Sequence, residues 1–81
     1  MDRIERDVAS RMAALFRRWP GLGGFAVRDG YVSDIACYPE PTEEDAADLR
    51  EDIADALVEL LDERPEAVAL VRGRTFTRAL H

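Results

Sequence analysis

Residues 42–64, TEEDAADLREDIADALVELLDER, constrain the fold more than any other part of the chain. Leu49, Ile53, Leu57 and Leu60 recur there at spacings of four, four and three, with Ala46 and Ala56 widening the stripe and Val58 and Leu61 on its flank. That is the period of a helix with one side packed on a core. Thr42 stands where a hydroxyl can accept an orphan N–H of the first turn, and Asp45 stands at the capping-box position. Glu43, Glu44 and Asp45 put negative charge at the positive end of the helix dipole. Pro65 ends the helix, because the residue before a proline is pushed out of the α region.

The opposite side of the same helix is acidic. Asp48, Asp52, Asp55, Glu59 and Asp62 repeat at four, three, four and three, and only Arg50 and Arg64 are basic within the stretch. Like charges at these spacings repel by roughly 0.2–0.5 kcal/mol per pair. Each large side chain of the apolar stripe contributes about 1.5–3 kcal/mol on burial. Burial wins and the helix forms, but its acidic face remains a cost that a partner could offset.

This uneven charge bounds the function. The chain has 81 residues, a single domain's length, and a net charge of −6. Residues 40–66 hold twelve acids against two Arg, a balance of −10, whereas residues 67–81 hold three Arg and no acid. Overall acidity disfavours nucleic acid as a partner. The segregation predicts that the acidic helix meets either solvent or a basic partner. All eleven basic residues are Arg, with no Lys, Asn or Gln, a bias of GC-rich, bacterial-like coding. No apolar run is long enough to span a membrane. The charged N-terminal sequence MDRIERDVASRM lacks the apolar centre of a signal peptide, and Cys37 has no second cysteine to pair with. Cytoplasmic residence is the expectation.

Two further patterns complete the fold reading. Residues 2–18 read as a helix, with Ile4, Val8, Met12, Leu15 and Trp19 in one stripe, Phe16 beside it, Asp2 as cap and Arg17 and Arg18 in the last turn. Pro20 and Gly21 stop it, and Trp19 reads as a core anchor. Residues 25–27 and 31–38 read as strands joined by Arg28, Asp29 and Gly30. The register is open between a two-residue turn that pairs Arg28 with Tyr31 and a three-residue loop that pairs Val27 with Tyr31; the second gathers Phe25, Val27, Tyr31, Ile35 and Cys37 on one face and is preferred. Residues 67–71 and 74–80 read as a second hairpin turning at Arg72 and Gly73. The fold class is therefore α+β in α-β-β-α-β-β order: two helices on one face of a four-stranded, mainly antiparallel sheet. The other sheet face would carry Ala26, Val32, Ala36 and Tyr38 with Thr75 and Thr77.

Residues 15–30, LFRRWPGLGGFAVRDG, resemble the opening of roadblock-type dimerising domains in element order and in two turns. The resemblance implies a non-enzymatic dimer and nothing about individual site residues.

No residue set carries recognisable chemistry. Gly21, Gly23 and Gly24 precede a strand, the wrong order for a phosphate loop. A single Cys and the single His81 cannot make a zinc site, and the acidic stripe lacks the ligand loop of an EF-hand. The sequence thus predicts no catalytic residue, no cofactor and no metal. It predicts an interaction or scaffolding module, with a homodimer as one form, in which Asp48, Asp52, Asp55, Glu59 and Asp62 meet a basic partner. Arg72 and Arg74 are the second candidate contact set, suited to an anion, a partner carboxylate or the acidic helix of the same chain or of a second copy, the plain alternative being a charged edge strand that resists aggregation. The alternative is a small-ligand binder or enzyme with a site between sheet and helices, near the C-terminal arginines and Tyr38.

Overall fold

A computed structural model describes residues 3–78. The first helix, α1 (Arg3–Arg18), leads into the hairpin β1 (Leu22–Arg28) and β2 (Tyr31–Cys37). The long helix α2 (Glu43–Glu63) follows, then a 3-10 turn (Pro65–Ala67), the short helix α3 (Val68–Val71) and β3 (Thr75–Thr77). β1 lies in the middle of the sheet and runs antiparallel to both neighbours, in the order β2-β1-β3. The chain is α+β, and its shortest dimension of 18 Å is that of one helix layer over one sheet.

α2 forms where its apolar period places it. Thr42 caps it, its Oγ1 accepting the Asp45 N–H at 3.1 Å. Leu49, Ile53, Leu57 and Leu60 are all buried. They meet Val8, Met12, Leu15 and Phe16 of α1, and Leu22, Phe25, Val27 and Val32 of the hairpin, in one core. Phe25 stacks between Phe16 at 6.1 Å and Phe76 at 5.5 Å, linking α1, β1 and β3. The Asp2 cap expected for α1 lies outside the described residues.

The sheet departs from expectation in two ways. The described residues form three strands, not four. Residues 67–71 are helical: the Ala67 N–H reaches the Arg64 carbonyl and the Arg72 N–H reaches the Val68 carbonyl. Pro65 at the first position favours a helical start, and the buried pair Ala67 and Val71 are one turn apart while Val68 and Ala69 face out. Arg72 and Gly73 therefore join a helix to β3, and no C-terminal Arg hairpin forms. Of the strand expected over 74–80, residues 75–77 pair with β1, and 79 and 80 lie outside the described residues.

The hairpin register also differs. Arg28 pairs with Tyr31 and Val27 with Val32, around the two-residue turn Asp29-Gly30 with Gly30 at φ 79°. Val32, not Tyr31, enters the core. The inward positions of Ile35 and Cys37 are nevertheless kept, because β2 carries one extra residue between the pairs Ala26–Ser33 and Gly24–Ala36. Asp34 takes that bulge at φ 52°, a left-handed conformation that Asp tolerates better than most residues. Moving a strand by one residue flips every side chain, and the bulge flips the far half back.

Candidate functional site

α2 presents three faces, and the sequence-predicted residues divide among them. Asp48, Asp55, Glu59 and Asp62 are exposed, and Asp55 and Glu59 border the shallow depression between α2 and α1 that Arg11, Arg18 and Asp52 also line. None of the four has an ion pair or side-chain hydrogen bond among the described residues. Asp52 differs. The Trp19 Nε1–H donates to its Oδ2 at 2.9 Å and Arg18 Nη1 adds a bond at 3.2 Å, so its carboxylate fastens the end of α1 to the middle of α2. The indole N–H, followed by Arg18, holds the Asp52 carboxyl below its usual range despite partial burial. Trp19 is half-buried against the core with its polar edge used up by this bond.

Two more carboxylates beside α1, Asp7 and Glu63, are similarly spent. Arg11 grips Glu63 with two bonds, at 3.0 and 3.1 Å, and donates from Nε to Asp7 at 3.2 Å. Arg64 Nε donates to the second Asp7 oxygen at 3.0 Å. Arg11 is the first cause lowering both the Asp7 and the Glu63 pKa, and its own is raised.

The arginines near the C-terminus do not act as a cluster. Arg72 Nε stands 3.7 Å from Asp29, with both side chains largely exposed. Arg74 lies over the Phe76 ring at 5.0 Å and donates weakly to the Leu70 carbonyl. Arg78 turns inward, donating to the carbonyls of Phe16, Trp19, Pro20 and Leu22 at 2.9–3.0 Å and lying over the Phe16 ring. Tyr38, Arg72 and Arg74, the candidate ligand contacts, border three different depressions. The largest, about 910 Å³ between β2 and the start of α2, includes Tyr38, Cys37, Glu40, Glu43 and Arg50. Burial pushes the Cys37 thiol up, away from thiolate. Among the described residues no three His, Cys, Asp or Glu side chains converge as metal ligands, and no buried polar side-chain atom lacks a partner.

A feature that sequence reasoning missed sits between α2 and the hairpin tip. Tyr31, Val58 and Val68 are 61, 60 and 39% exposed and border one groove of about 360 Å³, floored by Leu57, Leu61 and Val71. The signal available was the position of Val58 and Leu61 on the flank of the α2 stripe. Its completion by Tyr31 and Val68 depended on the two structural departures described above.

No family model, curated protein or solved structure matches the chain. No helix among the described residues is long and apolar enough to cross a membrane.

Proposed function

We propose that this chain is a protein-interaction module that presents the acidic outer face of α2 to a basic partner protein. The observation that carries the reading is a contrast. Asp7, Asp52 and Glu63 are each satisfied by an arginine of the same chain. Asp48, Asp55, Glu59 and Asp62 stay exposed and unpaired among the described residues. Their mutual repulsion, roughly 0.2–0.5 kcal/mol per pair, is met by no ion pair among the described residues and would be relieved by guanidinium or ammonium groups of a partner. A negative helix face also repels nucleic acid.

The test is capture of partner proteins by the wild-type chain and by the triple variant Asp48→Arg, Asp55→Arg, Glu59→Arg. Asp52 is left intact because it fastens α1. The expected result is capture that weakens steeply as salt is raised and is abolished by the charge reversal. Capture indifferent to both removes the acidic face from the account.

A further inference from the structure

We infer that the outer edge of β3 takes an acidic, extended peptide of a partner protein as a fourth strand. This concerns a different surface from the acidic face of α2 and does not rest on that reading. The phase of the β1–β3 ladder leaves the edge open. The Val27 N–H donates to the Arg74 carbonyl, the Arg78 N–H donates to the Gly23 carbonyl, and Phe25 pairs with Phe76 between them. Residues 74, 76 and 78 therefore turn their backbone groups to β1, and Thr75 and Thr77 turn theirs outward. Among the described residues no backbone group of either threonine is bonded beyond β1.

The far edge of the sheet is obstructed by comparison. The Val32 carbonyl on β2 faces outward but already accepts from Arg50 Nη1 at 2.9 Å, and the bulge at Asp34 breaks the ladder just beyond. Beside β3 there is room. A trough of about 690 Å³ lies between α1 and β3, bordered by buried Met12, Phe16 and Phe76 and by the small, exposed Ala9 and Ala13. A strand laid along β3 sets every second side chain towards it.

Charge selects the occupant. Arg17, Arg74 and Arg78 are spaced along this trough, and Glu5 is the one acid that borders it among the described residues. Arg11, Arg18, Arg28, Arg64 and Arg72 each face a carboxylate of the same chain, whereas these three do not among the described residues. The acceptors that hold Arg78 are neutral carbonyls, so its charge stays uncompensated. Arg74 and Arg78 stand two residues to either side of Phe76, which faces the core, so all three lie on the α1 side of β3. The complementary strand reads acid, any residue, apolar, any residue, acid, a pattern that is the same in both directions. Opposite charges facing each other across a ladder attract, and like charges repel. A second copy of β3 on this edge would set arginine against arginine. Main-chain bonds to Thr75 and Thr77 supply the rest of the recognition.

The test is an NMR titration of the whole chain with the synthetic peptide Thr-Glu-Thr-Val-Thr-Glu-Thr and two controls. One control has lysine in place of glutamate. The other is N-methylated at the two central threonines, whose N–H groups would meet the β3 edge, and keeps the charge. The acidic peptide is expected to bind at least tenfold more tightly than either, with shifts at Ala9, Ala13, Thr75 and Thr77 and slowed exchange of the two threonine amides. Arg74→Glu and Thr77→Pro should each remove most of that preference, the second because it deletes only an outward N–H. An unchanged melting temperature confirms the fold of each variant, and Arg74→Glu, at an exposed position, carries the test alone if the proline variant does not fold. Equal binding of the N-methylated peptide reduces the contact to charge attraction and overturns strand addition. Equal binding of the lysine peptide overturns the acidic occupant, and binding by none overturns the site. Slow exchange of Thr75 and Thr77 without peptide overturns it too: the chain closes its own edge if concentration has no effect, and a second copy closes it if protection grows with concentration. None of these outcomes involves Asp48 or Glu59, so the acidic-face reading stands or falls by its own experiment.

Discussion

Asp52 accepts the indole N–H of Trp19 at 2.9 Å, joining the residue that ends α1 to one in the middle of α2. A hydrogen bond to a charged acceptor contributes about 1.5–3 kcal/mol when shielded. This one is partly exposed, so Asp52→Ala should cost about 1–2 kcal/mol. Asp55→Ala, one helical turn away and without a partner among the described residues, should change stability by less than about 0.5 kcal/mol in either direction. Urea unfolding followed by Trp19 fluorescence separates the two, as a shift in midpoint at unchanged slope. Equal effects would mean that the Trp19 contact carries nothing.

Arg78 closes the same C-terminal end of α1 from the other side of the chain's exit. Its guanidinium meets the carbonyls of Phe16, Trp19 and Pro20 where α1 runs out of intrahelical donors, and it reaches the Leu22 carbonyl as well. A planar fork serves several acceptors at once, whereas an ammonium is a single point of charge. Arg78→Ala should cost about 2 kcal/mol, and Arg78→Lys should recover less than half of that loss in the same denaturation experiment.

What was legible in the sequence follows from which signals are periodic. The stripe of Leu49, Ile53, Leu57 and Leu60 and that of Val8, Met12 and Leu15 repeat often enough to define two helices and the side each one buries. Residues 67–71 are a short apolar run, and five residues do not carry a period that separates strand from helix. The hairpin failed at a finer level: the inward set was nearly right, but a bulge at Asp34 restored it after a different turn had flipped Tyr31 out and Val32 in. The same limit applies to the site. Exposure of Asp48, Asp55, Glu59 and Asp62 follows from helical spacing. Capture of Asp52 by a tryptophan 33 residues away does not. The groove is assembled from residues 31, 58 and 68, which only the tertiary fold brings together.

Acid should unfold this protein in a defined window. Asp7, Asp52 and Glu63 are all held below their ordinary values, the first and third chiefly by Arg11 and the second by Trp19. A carboxylate depressed on folding binds fewer protons in the native state than in the unfolded one. Its contribution is present above the unfolded pKa, about 4, and is lost as pH falls through the folded value. The melting temperature should be nearly flat from pH 7 to 5 and fall below about pH 4. Asp52→Asn should make that fall shallower. A melting temperature that rises on acidification would mean that relief of the α2 carboxylates outweighs loss of these pairs.

Gly24 and Gly23 give the sharpest contrast available in the sheet. A Cβ on Gly24 would lie 2.9 Å from the Phe76 carbonyl oxygen, and that oxygen belongs to the neighbouring backbone, not to a side chain that could swing aside. β1 is flanked on both sides, so separating it from β3 would also disturb the Phe25–Phe76 contact in the core. Gly24→Ala should therefore cost about 1–3 kcal/mol, the range for forced overpacking. A Cβ on Gly23 meets only the Ala36 carbonyl oxygen, at an ordinary 3.5 Å. Gly23→Ala removes unfolded-state freedom without strain and should stabilise by about 0.4–1 kcal/mol. Opposite shifts in the thermal midpoint of these adjacent substitutions would locate the close β1–β3 approach at Gly24; two destabilising shifts of equal size would show that flexibility of the whole Gly21–Gly24 segment, and not one contact, sets the requirement.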